Sequence, residues 1–308
     1  MPGSSQINAG WNALREKINL GDQRSLARAI SLIENEYSGY EEFLQELSAP
    51  AGARIIGITG PPGAGKSTLA DALIGEWSAA GNKVAVICVD PSSPFHPGAL
   101  LGDRLRMNQG YNHPSVFIRS LSSRGTLGGL SPHIIEITDL LRAAGYDKIL
   151  IETVGVGQNE VDIASLAETT VVVLVPGSGD DIQAMKSGIL ETADIFVINK
   201  SDLPLADDLA RYILARRTSG TQDEKEIPVI LKTIATEKQG VTELARQIQL
   251  SLENFNRSSK KIDLLAEKAW RLILQKKMSQ VDKRLLKERI IQEENAGDFH
   301  LYQFVSSY

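Results

Sequence analysis

Residues 54–68 hold the feature that most constrains the fold of this chain: a short β-branched run, a glycine-rich loop and the start of a helical pattern. Gly60 to Ser67 match G-x-x-x-x-G-K-[ST], in which glycines let backbone N–H groups turn toward phosphate oxygens. In such a loop the lysine reaches the β- and γ-phosphates, and the following hydroxyl ligates Mg²⁺. The sequence therefore predicts a phosphate-binding loop whose nucleotide contacts come from Gly60, Pro61, Pro62, Gly63, Ala64, Gly65, Lys66, Ser67 and Thr68.

Strand-like and helical runs alternate after this point as far as about residue 256. Alternation of this kind predicts an α/β fold, a P-loop NTPase with a mostly parallel, doubly wound sheet and ligands at the carboxyl ends of its strands. The predicted strands are 54–59, 83–89, 116–119, 148–152, 170–175, 194–198 and 228–232.

The remainder of the chain is predicted to be helical. Residues 1–50 repeat a helical period without a strand signal, which predicts an N-terminal helical segment packed on a P-loop nucleotide-binding domain at 51–256. Residues 257–308 form the third predicted region, in which one long helical pattern runs from Ile262 to about Glu294.

A narrow apolar seam lies on this last helical pattern. Its members are Leu274, Met278, Val281 and Leu285, spaced four, three and four residues apart. Two interpretations stay open: a helix that lies back on its own domain, and an arm that pairs with a second copy of the chain.

Carboxylates follow two of the predicted strands. Asp90 comes at the end of the second strand, and Asp103 lies on the connection that follows it. Because Mg²⁺ prefers few carboxylates together with phosphates and waters, both are candidate ligands beside Ser67.

The fourth strand ends in a predicted nucleotide switch, with the sequence Glu-Thr-Val-Gly from Glu152 to Gly155. In a P-loop NTPase an acid at this point orients the metal or the attacking water, so Glu152 is both a catalytic and a metal candidate. The Gly155 amide is expected to bond the γ-phosphate and to move when that group leaves.

The sixth strand leads into N-K-x-D, formed by Asn199, Lys200 and Asp202. An aspartate here accepts two N–H bonds from guanine, whereas adenine offers no such donor pair and would leave the acid unpaired at a cost of about 1–3 kcal/mol. The pattern therefore predicts GTP and GDP as ligands. The predicted base pocket is completed by the segment 231–236, in which Ile234, Ala235 and Thr236 are the candidate nucleotide contacts.

Composition limits the other classes of function. The net charge of −5 gives no reason to expect nucleic acid as a partner, and no apolar run approaches the ~18 residues that a bilayer requires. No secretory leader is evident, and the single cysteine, Cys88, suits a reducing compartment. The expectation is a cytoplasmic protein without a membrane or nucleic-acid partner.

Six motifs stand in one order between the two helical flanks: Gly60–Thr68, Val89–Ser93, Gly102–Met107, Glu152–Gln158, Gly179–Lys186 and Asn199–Asp202. Together they resemble the G-protein chaperones of adenosylcobalamin-dependent acyl-CoA mutases, of which the methylmalonyl-CoA mutase-associated GTPases are the best known. The resemblance implies a homodimeric GTPase that gates cofactor loading and protects the mutase from inactivation. It also implies that Gly179–Lys186 is an additional switch toward the partner, with Lys186 contributing to catalysis.

Two other functions remain open at this stage. One is a metal-insertion GTPase of the same broader class, although the chain has one cysteine and only four histidines to offer as soft or imidazole ligands. The other is a P-loop phosphotransferase, against which the guanine-type N-K-x-D argues.

Overall fold

The computed structural model describes residues 4–48, 52–90, 113–122, 130–153, 162–177, 189–218, 229–257, 259–279, 281–297 and 299–308. The chain divides into two compact units, Met1–Lys261 and Ile262–Tyr308.

The first unit contains a seven-stranded sheet in which every strand pairs in parallel with its neighbours, in the order β3-β2-β4-β1-β5-β6-β7. The predicted α/β fold is confirmed, and the sheet is parallel throughout. The strands are β1 Arg54–Thr59, β2 Val84–Asp90, β3 Val116–Ser122, β4 Lys148–Thr153, β5 Thr169–Leu174, β6 Ile195–Ile198 and β7 Val229–Lys232.

The central strands are apolar because helices cover both faces of the sheet. Every residue of β4 and β5 is buried, which is typical of parallel strands enclosed between helices. The prediction for β3, which stopped at residue 119, was too short, since its pairing with β2 continues to Ser122 opposite Asp90.

Helices cover both faces of the sheet and also form the N-terminal and C-terminal regions of the chain. None of those in the described residues is long and apolar enough to cross a membrane. They are α1 Ser4–Asn19, α2 Gln23–Glu34, α3 Tyr40–Gln45, α4 Lys66–Ala79, α5 Ile134–Ala143, α6 Ile189–Thr192, α7 Ala206–Thr218, α8 Val241–Arg257, α9 Lys260–Met278, α10 Lys283–Ala296 and α11 Leu301–Ser306.

The helix that follows the glycine-rich loop, α4, packs one face against the sheet. Leu69, Leu73 and Trp77 recur at helical spacing and are buried in the same apolar cluster as Ile56 and Ile58 of β1. This packing fixes the start of α4 beside the carboxyl end of β1.

The N-terminal helices are held by aromatic and polar contacts within the first unit. Trp11 stacks on Phe43 with ring centroids 4.6 Å apart, and its indole N–H donates to the Ser38 carbonyl at 2.9 Å. The Gln23 side-chain amide donates to the Val116 carbonyl at 3.1 Å, which occupies part of the exposed edge of β3.

The second unit corrects one prediction. Instead of one helix from 262 to 294, the chain forms α9 and α10, because Asp282 caps α10 by accepting hydrogen bonds from the Arg284 and Leu285 N–H groups at 2.7 and 3.4 Å. The seam is therefore not continuous: Leu274 and Met278 lie on α9 and Leu285 on α10.

Candidate nucleotide site

Those predicted ligand residues that the structure describes gather at the carboxyl edge of the sheet. β2, β3 and β4 lie on one side of β1, and β5, β6 and β7 lie on the other. The chain thus reverses its direction of winding at β1, which is where open parallel sheets bind ligands.

The phosphate loop, residues 60–67, is built around two glycines that no other residue can replace without displacement. Gly60 has φ of +141°, and a Cβ there would lie 2.1 Å from the Val173 carbonyl oxygen. Gly65 has φ of +87°, and its Cβ would lie 2.4 Å from the amide nitrogen of Asn199. The loop is therefore packed directly against β5 and against the N-K-x-D segment.

The Lys66 side chain folds back onto the first two residues of this loop. Its ammonium group donates to the Gly60 and Pro61 carbonyls at 2.8 and 3.0 Å, and its side chain is buried. These carbonyls hold the cation within the phosphate loop, where a phosphate oxygen would compete for the same N–H donors.

Ser67 and Glu152 come together from neighbouring elements. The Ser67 hydroxyl, in the first turn of α4, donates to the Glu152 carboxylate at 2.6 Å, and Glu152 lies on β4 opposite Ile58 of β1. Glu152 is only 7 % exposed. A hydroxyl and a carboxylate are oxygen donors of the kind that Mg²⁺ takes, so the pair fits a magnesium ion beside the phosphate loop.

The other predicted switch and metal residues are less fully described. Asp90 ends β2 in register with Ser122, and its side chain lies outside the described part. Asp103, Gly155 and Lys186 all lie outside the described residues. Among the residues that are described, no group of three or more His, Cys, Asp or Glu side chains could by itself hold a metal ion.

Asn199 joins the phosphate loop to the segment after β7. Its amide nitrogen donates to the Ala64 carbonyl at 2.9 Å, while its amide oxygen accepts from the Thr233 hydroxyl and the Ala235 N–H, both at 3.1 Å. Asn199 is 2 % exposed, so these bonds are made away from water, where each is costly to lose.

Lys200 makes a second connection to the phosphate loop. It has a left-handed backbone with φ of +53°, and its ammonium group donates to the Gly63 carbonyl at 3.0 Å. The aliphatic part of Lys200 therefore spans the distance between the N-K-x-D segment and the loop. Asp202 lies two residues further on and is exposed.

The segment after β7, residues 233–240, forms a closed loop that we call the base loop. Ile234 and Gln239 pair across it in antiparallel fashion, and Ala235 is buried against Asn199 while Thr236 is exposed. Thr233 belongs to the segment 231–236 that the sequence predicts to complete the base pocket, and its hydroxyl supports Asn199. Nothing in the local sequence indicates this bond, because it joins residues 34 positions apart.

Comparison with known proteins gives one family and several relatives. The family model described as "Methylmalonyl Co-A mutase-associated GTPase MeaB" matches residues 26–291. A Pyrococcus abyssi protein with a provisional GTPase name is 47 % identical over 253 residues, which cover 80 % of this chain and 78 % of the relative. The mouse protein named methylmalonic aciduria type A homolog, mitochondrial, is 36 % identical over 244 residues, covering 73 % of this chain and 59 % of the relative.

A solved structure also resembles the chain. The crystal structure of a LAO/AO transport system kinase aligns with a TM-score of 0.63 and 24 % identity, covering 100 % of this chain and 97 % of that one. At this level of identity the likeness supports the fold alone.

Proposed function

Because the chain belongs to the methylmalonyl-CoA mutase-associated GTPase family and is a GTPase, we propose that it is the chaperone of an adenosylcobalamin-dependent acyl-CoA mutase. In this role it gates loading of the cofactor and protects or reactivates the mutase. The observation that carries the proposal is the family match over residues 26–291, which includes the whole nucleotide edge and part of each helical flank. The name of the mouse relative, which also refers to methylmalonic acid, supports the same class of partner.

GTP binds, in this proposal, along the carboxyl edge of the sheet. The triphosphate follows the phosphate loop, where Lys66 exchanges its carbonyl partners for β- and γ-phosphate oxygens. The guanine lies at the N-K-x-D end, with its N1 and N2 groups donating to Asp202 and the Lys200 stem against the base plane. Asn199 keeps these two ends in a fixed relation, since its amide contacts the phosphate loop and the base loop at once.

Mg²⁺ is proposed to be held by Ser67 and Glu152, with Asp90 and Asp103 as the further carboxylates. When bound, the ion neutralises charge that develops on the phosphate oxygens. Glu152 has a second role in the proposal, which is to orient the water that attacks the γ-phosphate. Its burial favours this role, because a carboxylate kept from bulk water interacts more strongly with the groups around it.

Communication with the mutase is proposed to depend on the γ-phosphate. The Gly155 amide bonds that group and is released on hydrolysis, and Lys186 completes the catalytic set when the partner binds. The chain offers no arginine finger in the Glu152 segment, so hydrolysis without a partner is expected to be slow. The protein is further proposed to act as a cytoplasmic homodimer through its C-terminal region, residues 257–308.

The proposal is tested by cofactor transfer. Adenosylcobalamin is added to apo methylmalonyl-CoA mutase in the presence of this protein and of GTP, GDP or a non-hydrolysable GTP analogue. Loading of the mutase is followed by the absorbance spectrum of the cofactor. Transfer that depends on the nucleotide, and that Lys66→Ala abolishes, is the expected result. Transfer that is the same in all three nucleotide states would contradict the gating role.

A further inference from the structure

A pair of buried threonines joins the two strands that carry the phosphate loop and Glu152. The Thr153 hydroxyl, at the end of β4, donates to the Thr59 hydroxyl, at the end of β1, at 2.8 Å. Thr59 is 0 % and Thr153 1 % exposed, so neither hydroxyl exchanges this partner for bulk water. Thr59 directly precedes the first residue of the phosphate loop, and Thr153 directly follows Glu152.

The hydroxyl contact begins where the backbone pairing between β1 and β4 ends, while on their other sides Thr59 pairs with Val172 of β5 and Thr153 with Val89 of β2. The parallel register of β1 with β4 runs from Arg54 opposite Lys148 to Ile58 opposite Glu152 and goes no further. The next residue on each strand is one of the two threonines. Their side-chain bond therefore continues the connection between the strands by one residue, up to the point where each chain leaves the sheet.

The threonines and the Ser67–Glu152 contact lie on opposite faces of the sheet. Successive side chains of a strand point to opposite faces, so Thr59 shares the face of Gly57, whereas Ile58 and its neighbour Glu152 share the other. A Cβ on Gly57 would lie 2.5 Å from Ile163, in the 3-10 turn Ile163–Ser165, which identifies that face.

Glu152 is consequently held from two sides. Its own carboxylate accepts from Ser67 on the α4 face, and the backbone immediately after it is held through Thr153 on the opposite face. A buried pair in which one hydroxyl donates and the other accepts fixes the ends of β1 and β4 in one position relative to each other. If one hydroxyl is removed, these two strand ends are free to shift.

We propose that Thr59 and Thr153 are positioning residues for GTP hydrolysis, which hold the Glu152 carboxylate in register with the phosphate loop. This inference rests on the role proposed above for Glu152. It concerns the rate of hydrolysis rather than the affinity for nucleotide, because the two hydroxyls are buried and bonded to each other rather than to the phosphate loop or the N-K-x-D segment.

The test separates positioning from stability by comparing single and double valine variants. Thr59→Val or Thr153→Val leaves one buried hydroxyl unpaired, so each is expected to lower Tm; the double variant removes both hydroxyls and should recover most of the Tm. The rate should behave differently. We expect kcat for GTP hydrolysis to fall roughly tenfold in each single variant and to stay low in the double variant, with KM for GTP within about twofold of wild type.

Two matched variants complete the experiment. Thr59→Ser keeps the hydroxyl and should restore most of kcat. Thr169→Val is the control, because Thr169 is 0 % exposed and its hydroxyl donates to the Ser251 hydroxyl at 3.0 Å at the opposite end of the sheet. It should lower Tm and leave kcat unchanged.

The outcomes distinguish this inference from the proposal on which it rests. If kcat recovers together with Tm in the double variant, or if the single variants keep the wild-type kcat, the threonines serve packing only and the inference is wrong. If Glu152→Gln itself hydrolyses GTP at the wild-type rate, the role of Glu152 fails and the inference fails with it. Impaired Glu152→Gln alongside unimpaired threonine variants would overturn the threonine inference alone.

Discussion

The Ser67 hydroxyl donates a 2.6 Å hydrogen bond to the Glu152 carboxylate, and this contact joins the first turn of α4 to the end of β4. The two residues are 85 positions apart in the chain, and the parallel pairing of β1 with β4 brings them together. A nucleotide-bound ion and an attacking water would both depend on this arrangement, so the carboxylate is the first group to test.

Glu152→Gln should lower the rate of GTP hydrolysis by about 10²-fold or more, because an amide neither holds Mg²⁺ well nor orients a water as a carboxylate does. GTP affinity should change much less. Single-turnover hydrolysis at several Mg²⁺ concentrations measures the effect. Glu168→Gln is a matched control, because Glu168 is also 7 % exposed but pairs with Arg54 and Arg142 at the opposite end of the sheet. Equal loss of rate in both variants would attribute the effect to lost stability.

Gly65→Ala should weaken GTP and GDP binding far more than Gly63→Ala. Both glycines have positive φ, which costs an alanine about 1–2 kcal/mol. Only at Gly65 would the new methyl group also meet Asn199, at 2.4 Å, whereas nothing lies within 4 Å of a Cβ at Gly63. Titration with a fluorescent guanine nucleotide measures both affinities, and similar losses at the two positions would show that the contact with Asn199 is unimportant.

Asp202→Asn should weaken GTP binding and strengthen binding of xanthosine triphosphate. The new amide can donate to the extra carbonyl of xanthine, whereas the carboxylate can only accept. Competition between the two nucleotides gives the change in preference. Asp208→Asn is the control. Asp208 is an exposed acid on α7 that pairs with Arg211 of the same helix, and its change should leave the preference unaltered. A preference that does not move in Asp202→Asn would place the base elsewhere.

The sequence was sufficient to predict the fold and the edge of the sheet at which the phosphate loop and the N-K-x-D segment meet, since strand periodicity and the spacing of G-x-x-x-x-G-K-[ST] and N-K-x-D depend on local residues alone. Contacts between distant residues were harder to predict. Nothing in the local pattern indicates that Asn199 bonds both Ala64 and Ala235, or that only a glycine at position 65 leaves room for the Asn199 side chain. Both contacts depend on the order of strands in the sheet.

The C-terminal region shows a different limit. A helical period continues through residues 274–285, so periodicity alone predicts one helix. The end of α9 at Met278 and the start of α10 at Lys283 depend on capping by Asp282, which competes with continuation of the helix and which periodicity does not reveal.

Met278→Glu should weaken the proposed dimer. Met278 is 59 % exposed, and an interface that covers it would bury an unpaired charge, at a cost of roughly 3 kcal/mol or about 100-fold in the dimer dissociation constant. Light scattering over a range of protein concentrations measures the mass. Leu20→Glu, at a side chain 87 % exposed in the first unit, is the control. A wild-type mass for Met278→Glu would exclude this residue from the interface.

The coupling between nucleotide state and mutase binding tests the proposed chaperone role most directly. A partner that distinguishes two nucleotide states must by linkage change nucleotide affinity to the same degree, and a coupling of typical size would appear as a ~5- to 150-fold difference in affinity. The measurement is the affinity of methylmalonyl-CoA mutase for this protein loaded with GDP or with a non-hydrolysable GTP analogue, together with the rate of GTP hydrolysis with and without the mutase. Different affinities and a faster rate with the mutase present are the expected result; equal affinities and an unchanged rate would contradict the proposed chaperone role.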